Sequence, residues 1–178
     1  LYTPMLPLML HEELFTFSQL SIIASANYAG YLVGSLLFSF GIFSAVNKLR
    51  VLLLVSALLT VVLIFLMAKV TQPEIILLIR FLAGVASAGM LIFGSMLVLQ
   101  HTHNPFVIAS LFSGVGMGIF IGNEYVIAGV SYALNSHVLW IGAAIISAIL
   151  FVILTMLLPK DKHMISPVKA VAGAESDI

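Results

Sequence analysis

The chain has 178 residues, of which 62% are hydrophobic and 8% charged, with seven basic against seven acidic residues and no cysteine. Soluble domains carry about a quarter charged residues, so this composition and a mean hydropathy of +1.21 mark an integral membrane protein. Balanced charge gives no footprint for nucleic acid, and the lack of cysteine excludes disulfides, thiolate metal sites and cysteine nucleophiles.

Leu1 to Leu10 has the character of the end of an apolar helix and carries Pro4 and Pro7. Such a stretch is about half of the roughly 20 residues that cross hydrocarbon, so the expectation is a fragment that opens on either a truncated first span or a short anchor. It lacks the basic start and cleavage site of a signal peptide. Its prolines would bend it, which is tolerated where neighbours or a cavity satisfy the freed carbonyls.

After His11-Glu12-Glu13, apolar runs cover about 20–43, 51–68, 75–99, 107–128 and 137–158. Runs of that length without period-two alternation read as membrane helices rather than barrel strands. The expected fold is therefore an all-α polytopic membrane bundle over residues 1–159, one partial helix and then five complete ones, joined by short loops at 44–50, 69–74, 100–106 and 129–136. Residues 160–178, polar and small, read as a cytoplasmic linker or tail. Lys48 and Arg50 in one loop and Lys160, Lys162 and Lys169 in the tail fall on one side by parity, against Lys69, Glu12, Glu13 and Glu74 on the other. The positive-inside rule makes the first side, and the chain's start, cytoplasmic.

The second span places Ser21, Ser25, Tyr28, Ser35 and Ser39 on one face, with Asn27, Tyr31 and Gly34 beside it. Gly30, Gly34 and Gly41 add a small stripe. These polar groups either tie helices together or contact a solute. Arg80 stands six residues inside the fourth apolar run and shares a face with Gly84, Ser87, Leu91, Gly94 and Ser95. It cannot easily shed its proton, so it needs a carboxylate, carbonyls, a polar cavity or the headgroup layer. It either snorkels outward beside a packing face or faces a hydrated cavity.

The fifth span carries Ser110, Gly114, Gly118 and Gly122 at four-residue steps, a stripe suited to close helix packing, and Gly116 adds freedom to bend. Glu124 lies off that stripe, on the face of Ser113 and Met117. Arg80 and Glu124 fall at the same depth in the outer third, so an ion pair or a shared hydrated cavity is expected, with an interfacial Glu124 as the alternative. Trp140 reads as an interface anchor. His101 and His103, in a short loop without carboxylate neighbours, read as solvated residues rather than a metal site. Ser113 and His137 lie at opposite depths, which opposes a serine hydrolase, so no enzyme is expected and no cofactor.

The strings Tyr2-Thr3-Pro4-Met5-Leu6-Pro7-Leu8-Met9, Asn27-Tyr28-Ala29-Gly30-Tyr31-Leu32-Val33-Gly34 and Gly114-Val115-Gly116-Met117-Gly118-Ile119 resemble the first, second and fifth helices of the major facilitator superfamily, YbfB/YjiJ-type branch. Arg80-Phe81-Leu82-Ala83-Gly84 resembles the fourth-helix arginine motif associated with proton coupling in the wider superfamily. Two departures argue against a drug exporter. The segment from Gly41 to Arg50 lacks the usual aspartate and second glycine, and the fifth helix lacks the proline of many drug/proton antiporters.

The resemblance implies the six-helix amino-terminal half of a secondary transporter, with the first helix truncated, in the bacterial cytoplasmic (inner) membrane. It implies a small-molecule substrate between this half and a missing carboxy-terminal half, alternating access, and protons as a coupling ion. Arg80, Glu124, Asn27 and Tyr31 are then the candidates for the transport cavity or for coupling. Gly30, Gly34, Gly84, Gly114, Gly118 and Gly122 are those for helix packing. The rival is a non-transporting scaffold or receptor, whose glycine and serine faces only assemble helices.

Overall fold

The computed structural model describes residues 2–40, 46–102 and 104–158. These form α1 (Tyr2–His11), α2 (Phe17–Ser39), α3 (Val46–Lys69), α4 (Pro73–His101), α5 (Pro105–Ser131) and α6 (Ser136–Leu157). The described residues are all-helical, and five of the helices are long and apolar enough to cross a membrane. The expected tail at 160–178, His103 and Gly41 lie outside the described residues.

Local chemistry shifts the helix ends away from the limits of the apolar runs. Thr16 and Gln19 form a capping box, with the Gln19 amide donating to Thr16 Oγ1 at 3.3 Å and the Thr16 amide to Gln19 Oε1 at 2.9 Å. That satisfies donors left free at a helix start and begins α2 at Phe17, ahead of the unbroken apolar run. Asn104 caps α5 through the Phe106 amide at 3.0 Å, with Pro105 in its first turn. Lys48 and Arg50, expected in a loop, lie instead in the first turns of α3. Straight-chain basic residues are good helix formers and can extend their charged ends to the interface, so the helix need not stop for them. His101 likewise belongs to the last turn of α4, its Nδ1 lying 2.8 Å from the Leu97 carbonyl.

α2 packs along α4, α4 against α3, and α3 against α6. Close approach of α2 and α4 depends on glycine. A Cβ added at Gly30 would lie 2.0 Å from the Phe81 carbonyl oxygen, and one at Gly84 would lie 2.1 Å from that of Asn27. In lipid, where apolar surface gives helices little reason to associate, such backbone contact supplies the attraction.

One core cluster gathers Met5 and Met9 of α1, Leu20 and Ile23 of α2, Ile76 and Ile79 of α4, and Leu139 and Trp140 of α6. It lies toward the end that carries the α1–α2, α3–α4 and α5–α6 turns, the outer end in the expected orientation. A second cluster, Leu49, Leu53, Phe93 and Leu158, closes the opposite end.

Two of the outer turns are built alike. The Leu14 amide donates to Met9 O and that of Glu13 to Leu10 O; after α5, Leu134 donates to Gly129 O and Ala133 to Val130 O. This is the Schellman pattern, which needs a left-handed residue just past the helix. Glu13 (φ 55°) and Ala133 (φ 53°) supply it where glycine is usual. The turn after α1 brings Glu12 to the start of α6, where its carboxylate accepts the Ser136 amide at 2.7 Å and also the Ser136 hydroxyl. A carboxylate is favoured at a helix N-terminus by the exposed amides and the dipole, so Glu12 ties α1 to α6.

α5 is held mainly at its outer end. Val126 and Gly129 are buried, and Tyr125 donates to the Leu139 carbonyl at 2.9 Å. Along its most apolar stretch no residue is buried within this chain.

Candidate functional site

Arg80 and Gly84 lie four apart on α4 and therefore on one face. Because Gly84 lets α2 come within backbone contact, the next turn of the same face meets Asn27, and Arg80 Nη2 donates to Asn27 Oδ1 at 2.9 Å. From the other side the guanidinium lies over the ring of Tyr2, 4.6 Å from its centroid. Tyr2 is fixed in turn by its hydroxyl, which donates to the Leu20 carbonyl at 3.3 Å. Its ring sits beside that of Trp140, centroids 6.5 Å apart at 31°. One arginine thus joins α1, α2 and α4, with α6 behind.

The guanidinium points into the helix junction. Translocon measurements put the cost of a central arginine at about 2.5–3.5 kcal/mol. A charged hydrogen bond contributes about 1.5–3 kcal/mol and a desolvated cation–π contact about 2 kcal/mol. These contacts are of the size needed to hold Arg80 inward without a counter-ion. Arg80 Nε is buried and has no hydrogen-bond partner.

No ion pair joins Arg80 to Glu124 among the described residues; Arg80 bonds the neutral amide of Asn27 instead. Glu124 is exposed on α5. It is at about the depth of Arg80, each some 10 Å from its outer helix end by helical rise, but matching depth does not bring two faces together. Tyr31 stands one turn beyond Asn27 and is 37% exposed; its backbone amide nitrogen lies 2.7 Å from where a Gly84 Cβ would be. Ser21, Ser25 and Ser39 donate to the carbonyls of Phe17, Ser21 and Ser35 on their own helix. Of the polar residues singled out on α2, Asn27 is thus the one that bonds across to α4.

The glycines divide. Gly30, Gly34 and Gly84 sit at the α2–α4 contact, whereas a Cβ at Gly114, Gly116 or Gly118 would meet nothing within 4 Å. Gly122 is half-buried. Trp140, expected at the headgroup interface, is instead 2% exposed, because the first turns of α6 turn toward α1 and place its ring against Tyr2.

Two contributors are absent from the sequence reading of the site: Tyr2, and the Glu12–Ser136 tie. Tyr2 stands in the first string of the family resemblance, and its depth, about 13 Å from the outer end of α1 by helical rise, matches that of Arg80. No group of three or more metal-ligating side chains occurs among the described residues.

A multi-pass helical bundle with an inward-held arginine at the meeting of three helices defines the class, an integral membrane protein with a polar junction in its core. The family model described as "Uncharacterised MFS-type transporter YbfB" matches residues 1–177. The chain belongs to this major facilitator family of membrane transporters. No curated protein and no solved structure matches it.

Proposed function

We propose that the chain is the amino-terminal bundle of a secondary active transporter, which moves a small solute by alternating access with proton coupling. The observation that carries this reading is the placement of Arg80. Its charge is held at the junction of α1, α2 and α4 by Asn27 and Tyr2, although the outer headgroup layer is about two helical turns away.

Arg80 keeps its proton, so its role is to set the local potential and to bind or orient. Glu124, a titratable group at the same depth, is the candidate proton carrier, and Asn27 and Tyr31 line the adjoining face. Rocking against a second bundle would open the site to each side in turn. The open stripe at Gly114 and Gly118 supports docking of such a bundle along α5, with residues 160–178 as the linker toward it. The membrane is the bacterial cytoplasmic membrane in this reading, with the start of the chain on the cytoplasmic side.

The test is uptake by the complete transporter in proteoliposomes under an imposed pH gradient, with a panel of labelled small solutes. Gradient-dependent uptake of at least one solute, lost in Arg80→Lys, supports the reading. Gradient-independent uptake would remove proton coupling, and no uptake of any solute would favour a scaffold or receptor.

A further inference from the structure

A cleft of about 290 Å³ lies between α3, α4 and α6, away from the Arg80 junction, lined by Ala57, Val61, Met90, Leu150, Phe151 and Leu154 together with Thr60 and Ser147. It offers little to a polar solute, because Thr60 already donates to the Ser56 carbonyl at 2.9 Å and touches Met90 Sδ at 3.4 Å. A helix is about 10 Å across and rises about 5.4 Å per turn, so the cleft is smaller than one helical turn. Leu150, on its rim, is 59% exposed. The occupant that fits an apolar slot of this width in a bilayer is an acyl chain.

The charge at one end selects the headgroup. Arg50 is seven residues before Ala57 and eleven before Val61, which puts all three on one face of α3, with Arg50 about 10 Å nearer the inner end. Leu154, at the inner end of the cleft, packs against the core cluster that contains Leu49 and Leu53, which stand on either side of Arg50 in sequence. Arg50 Nε is buried and has no hydrogen-bond partner. Basic pockets between membrane helices bind anionic headgroups.

We propose that this cleft is a phospholipid site, with an acyl chain along α3 and α6 and the phosphate of an anionic lipid on Arg50. Half-buried Arg50 then gains an anionic partner, and the lipid joins α3 to α6.

The complete protein, purified in mild detergent, is loaded with phosphatidylglycerol or phosphatidylcholine and examined by native mass spectrometry. One phosphatidylglycerol should be retained per protein, at least fivefold more than phosphatidylcholine. Arg50→Gln and Ser147→Phe should each lose it, and Lys69→Gln, at the other end of the bundle, should keep it. Equal retention of the two lipids, or full retention in Arg50→Gln, would overturn the proposal. So would thermal stabilisation by inorganic phosphate equal to that by phosphatidylglycerol, because the site would then take a free anion. Should either variant fail to fold, Phe151→Trp with Arg50 intact provides a second reading. Brominated phosphatidylglycerol should quench the new tryptophan more strongly than brominated phosphatidylcholine at equal mole fraction, and equal quenching would contradict the site.

Discussion

Arg80 is held by two contacts that can be removed one at a time. Tyr2→Phe keeps the ring under the guanidinium and loses only the hydroxyl bond to Leu20, a cost of about 0.5–1.5 kcal/mol. Tyr2→Leu also loses the cation–π contact and should cost about 1–2 kcal/mol more. Asn27→Ala leaves the guanidinium without its acceptor and should cost about 1–2 kcal/mol. Unfolding titrations in detergent micelles measure all three. Equal stability of Tyr2→Phe and Tyr2→Leu would show that the stacking contributes nothing. Arg80 is legible in the sequence because an arginine inside an apolar run is rare, and its depth follows by counting residues. Its partners are less legible. Counting gives the height of a side chain and its direction about its own helix, but not which helix stands opposite, so Glu124 matched in height while Asn27 and Tyr2 met the charge.

At the scale of elements, the α2–α4 contact separates two kinds of glycine that look alike in sequence. Gly84→Ala would drive a methyl into the Asn27 carbonyl, and Gly30→Ala one into that of Phe81. Each should cost about 1–3 kcal/mol and should loosen the Arg80–Asn27 bond by parting the helices. Gly118→Ala meets open space within this chain and should be neutral or stabilising by about 0.5–1 kcal/mol through helix propensity. If a second bundle docks along α5, the same change should impair assembly of the complete transporter, read by co-purification of the two separately expressed halves.

The turn after α5 gives an independent check. Ala133 holds a left-handed φ of 53°, which costs a non-glycine residue about 1–2 kcal/mol, so Ala133→Gly should raise stability by about 1 kcal/mol. Small stripes and apolar runs mark where helices are, but whether a stripe is covered depends on the arrangement of whole helices. The ends of α2 and α5, by contrast, follow from short local patterns, Thr16 with Gln19 and Asn104 with Pro105.

At the scale of the whole molecule, one partial and five complete helices with alternating ends were readable from hydrophobic length, and the six helices of the described residues and the family match over residues 1–177 agree with that architecture. Orientation is a separate matter of charge. A chain without native cysteine allows it to be tested by single cysteines at Glu13, Ala133 and Lys48 with a membrane-impermeant maleimide. Glu13→Cys and Ala133→Cys should label from outside intact cells, and Lys48→Cys only after the membrane is opened; the reverse pattern would invert the topology.

The claim that joins these scales is that Arg80 serves transport beyond holding three helices together. Proton-gradient-driven solute uptake by the complete transporter, compared between wild type and Arg80→Lys at matched amounts of folded protein, tests it most directly. Lysine keeps the charge but replaces the planar fork with a compact, strongly hydrated ammonium. Uptake should fall at least tenfold with the bundle still folded, whereas wild-type uptake in the lysine variant would contradict a guanidinium role in transport.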